Sequence, residues 1–367
     1  MRQIQTTPKY LQGPGLLKRI GELVENYGKR VFILTGNTAL RENGEDIKKS
    51  LKERGIGFHF EVFNGETTYK EVERLKGIIA SEESEVVIGL GGGKVMDTAK
   101  TAGFKSNCNV IMAPTIACSD APCSSVSVMY SEEGAVVGVE YFPRNPDIVI
   151  VDTEVIAKSP TKFLKAGIGD ALSTYFDARI SYRNAYPNVF GTEVSTTALG
   201  LAKLSYEIIL RDGLKAVMSN DMKIVSPELE SVVEACTYLS GVGFENCGIS
   251  CSHSIQDALT EIPECHKFLH GEKVTFGTFC VLVMERVSDD ELYEFMGLCA
   301  SMDLPITLKQ LGLVEDVKEK IEKVMDIAYQ PGEESVYHMP PYATRDSVYA
   351  AILLADKLGT EFLNGNI

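Results

Sequence analysis

Two histidines and an aspartate offer the chemistry of a catalytic metal centre. His253 lies in Cys251-Ser252-His253-Ser254-Ile255-Gln256-Asp257, which reads as helix. His270 follows seventeen positions later in Phe268-Leu269-His270-Gly271-Glu272-Lys273, and Asp170 stands upstream in Gly167-Ile168-Gly169-Asp170-Ala171-Leu172. Two imidazoles and one carboxylate, with no fourth protein ligand evident, is the stoichiometry of a divalent site with one position left open. Each residue also has a plain structural reading. Asp170 would serve as the N-cap of a helix over 171–180, His253 as a hydrogen-bonded core histidine, and His270 as part of a turn before a helix from Val274. His266 is a competing ligand, because a spacing of four before His270 puts both on one face of a helix.

The second constellation suits phosphate. Gly89-Leu90-Gly91-Gly92-Gly93-Lys94 follows an apolar strand and precedes a helix beginning near Val95. Glycines let the backbone turn sharply and approach a phosphate, and the helix N-terminus presents unsatisfied N–H groups and positive potential. The run departs from G-x-G-x-x-G because Lys94 takes the last position, and it is no Walker A loop. Asp97 either complements the helix dipole or holds a ribose or nicotinamide group. A second loop, Pro114-Thr115-Ile116-Ala117-Cys118-Ser119-Asp120-Ala121-Pro122-Cys123-Ser124, follows another strand. Its hydroxyls at Thr115, Ser119 and Ser124 suit phosphate or sugar oxygens. Asp120 either accepts hydrogen bonds from a polyol or closes an Asx turn.

These residues must be positioned by two kinds of architecture. Up to about residue 160, strands over 30–35, 59–63, 85–90, 109–113 and 147–151 alternate with helices over 15–27, 46–54 and 69–81. Continuous apolar strands between helices indicate a parallel sheet covered on both faces. From 161 onward the segments read as helices, with examples over 198–210, 227–239, 274–286, 314–328 and 347–358. The expectation is therefore an α/β dinucleotide-binding domain over 1–160 and an all-α, metal-binding domain over 161–367.

Bulk composition narrows the class. Hydrophobic residues make up 44% and charged residues 24%, as in an ordinary globular enzyme. The net charge of −15 argues against nucleic-acid binding, so an anionic cofactor must be held by backbone N–H groups and a few local cations. No apolar run is long enough to span a membrane, and the first residues lack a signal-peptide core. Nine cysteines without a CxxC pair suggest small core residues in a reducing, cytoplasmic protein.

Together these stretches resemble the polyol-dehydrogenase branch of the iron-containing alcohol dehydrogenase superfamily. The matching segments are Gly89–Lys100, Ala113–Cys123, Ala166–Leu172, Leu239–Glu245 and Leu269–Val274, in the family's order. The resemblance implies the fold shared with dehydroquinate synthase and NAD-linked oxidation of glycerol to dihydroxyacetone. It further implies zinc held by Asp170, His253 and His270, and a homo-oligomer, commonly an octamer. It assigns the pyrophosphate to Gly91, Gly92 and Gly93, the nicotinamide side to Thr115, Ser119, Ser124 and Ser127, and the substrate side to Asp120. Iron-type relatives carry a histidine four residues after the aspartate; here that position is Thr174, which favours the three-ligand zinc type.

Three positions depart from the family's pattern. The acidic residue that holds the adenosine ribose after the first strand is replaced by Gly36-Asn37, which removes the charge that repels a 2′-phosphate. Gln256 stands where many relatives have a second histidine, and Gly248-Ile249-Ser250-Cys251-Ser252 replaces a run of glycine and alanine. The rival readings are a relative acting on another vicinal diol or a 2-hydroxy acid, and a non-catalytic NAD-binding protein. No basic cluster surrounds the motifs to favour glycerol phosphate. His338, between Tyr337 and Met339, is a further histidine for the cleft.

Overall fold

The computed structural model describes residues 1–330, 338 and 340–367. They form two compact units, each discontinuous in sequence. One comprises Gln5–Thr161 and Met218–Gly241; the other comprises Met1–Ile4, Lys162–Val217 and Val242–Ile367.

The first unit is α/β. Its elements run β1 (Tyr10–Gly13), α1 (Ile20–Val24), β2 (Arg30–Thr35), α2 (Asn37–Glu53), β3 (Gly57–Val62), α3 (Tyr69–Ser81) and β4 (Val86–Gly91). Then follow α4 (Gly93–Lys105), β5 (Asn109–Pro114), β6 (Val126–Tyr130), β7 (Val136–Tyr141), β8 (Ile148–Asp152) and α5 (Thr153–Lys158). Six strands make a sheet in the order β1-β8-β5-β4-β2-β3, with every pairing parallel. β6 and β7 form a separate antiparallel hairpin. Strands β4 and β8 are buried end to end, and β2 at every residue after Arg30, as expected when both faces are covered. From β2 the chain adds β3 on one side, and from β4 it builds towards the other. The carboxyl ends of β2 and β4 therefore flank the topological switch point, where open α/β sheets bind ligands.

Two local expectations needed correction. Helix α2 begins at Asn37, nine residues before the expected start at Asp46. Its buried face, Ala39, Ile47 and Leu51, packs with Val31 and Ile33, and that burial draws the polar stretch 37–45 into the helix. The short strand β1 and the β6–β7 hairpin were absent from the sequence reading.

The second unit is helical. The remaining helices of the chain are α6 (Thr161–Asn184), α7 (Thr196–Asp221), α8 (Pro227–Glu234, in the first unit), α9 (Ser240–Cys247), α10 (Cys251–Thr260), α11 (His270–Glu285), α12 (Asp289–Ser301), α13 (Val317–Ala328) and α14 (Arg345–Leu363). A π-helical turn at Ala235–Leu239 joins α8 to α9. A single cut at residue 160 does not describe this division, because 218–241 pack with the α/β unit. Gln12 donates its amide to the Glu230 carbonyl at 2.8 Å and carboxylate at 2.7 Å, and the Tyr10 hydroxyl lies 2.7 Å from that of Thr237.

Helix α11 makes the contacts that matter for the candidate site. A methyl group added to Gly271 would overlap the backbone of Ala166 on α6, and one on Gly169 would overlap the Gly271 carbonyl and the Thr275 hydroxyl. Backbone touches backbone there, which only glycine permits. A methyl on Gly277 would likewise overlap the carbonyl of Ser252 on α10. All nine cysteines are free thiols, eight of them buried and Cys118 half-buried. Replacing Gly271 with alanine is expected to cost about 1–3 kcal/mol by overpacking, read as a lower denaturant midpoint at unchanged slope.

Candidate functional site

Asp170, His253 and His270 converge. One ligand atom from each can be chosen so that all lie within 4.8 Å of one another. Asp170 is not an N-cap: it sits in the middle of α6, buried, with its carboxylate 3.1 Å from Nε2 of His270. His253 projects from the first turn of α10 and its side chain is 12% exposed. His270 is the first residue of α11 rather than part of a preceding turn, and its side chain is 42% exposed. Glu272 holds that start by accepting the Leu269 N–H at 2.7 Å, a carboxylate suited to a helix N-terminus. Each glycine contact described above lies beside one of these residues: Gly169 before Asp170, Gly271 after His270, and Ser252 before His253. One carboxylate and two imidazoles, buried on one side and open at His270, fit a divalent ion that keeps a position for another ligand.

His266 is separated from this cluster. It follows the short 3-10 turn Pro263–Cys265 and is exposed, so it does not share a helix face with His270. Thr174 is buried one turn beyond Asp170, with its hydroxyl 3.5 Å from the Asp170 carbonyl. Gln256 is also buried; its amide nitrogen donates to the Thr260 hydroxyl at 2.8 Å, and Lys273 donates to the same hydroxyl at 2.7 Å. Oε1 of Gln256 has no hydrogen-bond partner among the described residues. The ring of His338 donates from Nδ1 to the Ile249 carbonyl at 3.1 Å, beside the loop that leads into α10. Tyr337 and Met339 lie outside the described residues.

The sequence reading missed Asp177. It is seven residues after Asp170 on α6, hence on the same face two turns along. Its Oδ2 accepts from Nδ1 of His253 at 2.7 Å. Burial pulls the His253 imidazolium down, but the hydrogen bond and the charge of Asp177 outweigh it, and the ring's pKa is raised to about 9. Burial pushes Asp177 the other way, and His253, the Ser250 N–H and the Ser252 hydroxyl bring it below the usual carboxylate range. The detectable signal was a lone aspartate among apolar and small residues at helical spacing from Asp170.

In the α/β unit, Gly92 caps α4 and Gly93 is its first residue. A side chain on Gly91 would press on Val95, and one on Gly92 would come within 2.9 Å of Ile116. Packing explains these two glycines. At Gly93 a methyl would meet, among the described residues, only the Ser119 hydroxyl, at 3.8 Å, so packing does not require glycine there. Gly36 caps α2 at the end of β2 and has nothing within 4 Å of such a methyl; Asn37 begins the helix. The Thr115 N–H bonds the Gly91 carbonyl at 3.0 Å and fastens the second loop beside the first.

Other residues assigned to the cofactor are engaged inside the unit. Lys94 pairs with Glu66 at 2.6 Å. Ser124 and Ser127 are buried, and the Ser127 hydroxyl donates to the Asp97 carbonyl at 3.2 Å. Asp97 is buried too, and its carboxyl is pushed up by that burial, with Lys100 opposing. The Lys100 ammonium, fully buried, donates to the carbonyls of Ala121 at 2.9 Å and Val126 at 2.6 Å, fixing the second loop from beneath. Asp120 accepts from the Ser240 hydroxyl at 3.1 Å.

Loading the metal-free protein with a divalent ion must displace the proton from His253, since metals bind neutral imidazole. With the ring held up to about 9, affinity should rise by about tenfold per pH unit through neutrality and flatten above that value. Titration calorimetry in buffers of different ionisation heat should record about one proton released per ion at pH 7.

Residues 7–153 match the model of the iron-containing alcohol dehydrogenase family. The chain is 41% identical to a glycerol dehydrogenase of Pseudomonas putida, over 99% of each chain. The solved structure of a probable glycerol dehydrogenase from Sinorhizobium meliloti 1021 is 36% identical, with a TM-score of 0.92 over 98% of this chain and 100% of that one. That of glycerol dehydrogenase from Schizosaccharomyces pombe is 31% identical, with a TM-score of 0.94 over 100% of this chain and 93% of that one. The α/β unit with its parallel sheet and the helical unit agree with these likenesses in fold, and the chain belongs to the iron-containing alcohol dehydrogenase family, in the branch that holds the glycerol dehydrogenases.

Proposed function

We propose that this oxidoreductase converts glycerol to dihydroxyacetone, reversibly, with NAD as hydride acceptor and a divalent ion, zinc, held by Asp170, His253 and His270. The observation that carries the reading is the convergence of those three side chains within 4.8 Å in a chain of this family. When bound, such an ion supplies Lewis acidity that favours the alkoxide form of a substrate hydroxyl near neutral pH. The nicotinamide supplies the redox chemistry, and the protein supplies orientation. Two imidazoles and a single carboxylate neutralise only half of a divalent charge, which keeps the centre electrophilic. The absence of an imidazole at Thr174 supports zinc over iron.

We assign the dinucleotide to the α/β unit, with its pyrophosphate over the N-terminus of α4 at Gly91, Gly92 and Gly93 and its adenosine end at Gly36 and Asn37. Gly93 and Gly36, which packing does not require to be glycine, support this placement, as does the switch point between β2 and β4. Backbone N–H groups then bear most of the anionic cofactor, because Lys94 is committed to Glu66. Asp97, Thr115, Ser119, Ser124 and Ser127 shape the nicotinamide side, Ser124 and Ser127 from beneath the loop. Asp120 is assigned to a polyol hydroxyl. Among the described residues no helix is long and apolar enough to cross a membrane. The nine free thiols support a cytoplasmic enzyme, and the family's habit of assembly supports a homo-oligomer.

Initial rates with glycerol test the proposal. Activity should vanish on chelation and return with zinc, with one ion per chain by elemental analysis; turnover that survives complete metal removal would sink it. No carboxylate lies in the first turn of α2, so discrimination against NADP should be weak. Gly36→Asp, entering open space, is expected to raise the NAD-to-NADP ratio of kcat/KM by about tenfold or more, since the new charge repels a 2′-phosphate.

A further inference from the structure

We propose that Asp177 is the positioning residue of the metal centre: it selects the ring nitrogen that His253 turns to the ion and anchors the start of the helix from which His253 projects. The inference rests on the reading of Asp170, His253 and His270 as ligands. Asp177 is fully buried, and among the described residues its four hydrogen bonds all come from residues 250–253. Oδ2 accepts from the Ser250 N–H at 2.9 Å, the Ser252 hydroxyl at 2.8 Å and Nδ1 of His253 at 2.7 Å, and Oδ1 accepts from the Ser250 hydroxyl at 2.9 Å. A carboxylate buried this deeply must be compensated, and here the compensation is aimed at one short segment.

A second observation points the same way. Ser250 stands at the N-cap of α10, where a serine hydroxyl ordinarily accepts a helix N–H, yet it makes no such bond. Its hydroxyl is turned to Asp177 instead. Anchoring the helix would need only the Ser250 contacts. The bond to Nδ1 of His253 adds orientation: with Nδ1 donating, the lone pair of the neutral ring lies on Nε2. Helix α6 thus supplies two carboxylates seven residues apart, Asp170 to the ion and Asp177 to a ligand of the ion.

The test compares wild type with Asp177→Asn, which keeps the side chain's shape and removes its charge. Zinc affinity is measured by chelator competition in the absence of substrate and cofactor, and the visible spectrum is recorded after cobalt(II) substitution. Loss of a carboxylate behind a metal-bound histidine ordinarily weakens binding by about 10–100-fold. That loss, with altered cobalt bands, is the expected result. Equal affinity and an unchanged spectrum in the variant would overturn the positioning role while leaving the ligand reading intact. A wild type that binds no zinc would instead overturn the ligand reading. Should the variant fail to fold, wild type loaded with cadmium-113 and labelled with nitrogen-15 histidine answers the question by solid-state NMR. Coupling to Nε2 of His253 is expected, and coupling to Nδ1 refutes the proposal.

Discussion

The helical unit's candidate site depends on backbones that touch. An α-helix normally keeps its neighbour about 8–10 Å away, because side chains fill the space between axes. Here Gly169 and Gly271 remove that spacer between α6 and α11, and Gly277 removes it between α10 and α11. Short side chains such as aspartate and histidine reach a common point only if their helices approach this closely. Each glycine contact sits one residue from Asp170 or His270, or involves the residue before His253. The three side chains are brought together by rigid elements rather than by loops, which is what a centre with fixed coordination requires.

Buried ions of opposite sign serve a related purpose. Lys100 lies under the second loop of the α/β unit and binds the carbonyls of Ala121 and Val126. Asp177 lies under the approach to α10 and binds the N–H and hydroxyl groups of 250–252. In each case a desolvated charge gathers polar groups where a regular element begins, β6 in the first and α10 in the second. Removing either partner would strand the other in a dry interior, at a cost above that of an ordinary hydrogen bond. Such charges specify loop geometry more firmly than apolar packing does, since they impose direction as well as proximity.

The parts legible in the sequence were those with periodicity or local chemistry. The strand–glycine–helix passage around Gly91 and the helix over Tyr69–Ser81 followed from pattern and local propensity, and the latter has the observed limits. The start of α2 did not, because the burial of Ala39 in the folded unit carries the helix back from Asp46 to Asn37. The hairpin of β6 and β7 was missed since its exposed valines lack a clean polar alternation. Convergence of Asp170 with His253 and His270 lay beyond spacing alone: 83 residues separate the first two, and nothing local encodes a helix crossing. Asp177 escaped for a similar reason, as its meaning lies entirely in a partner 76 residues away.

The absence of disulfides among the nine cysteines has a consequence for how the molecule ages. Burial pushes Cys265 up to about 11 and Cys247 to about 12, so neither offers a thiolate to oxidants near neutrality. Chemical damage to the folded chain is thereby restricted to the surface, where Cys118 has partial access. The interior sulfurs become vulnerable only when a local opening exposes them. Oxidative lesions at those sites would record the history of such openings, making the cysteines an internal tally of transient unfolding rather than a redox device.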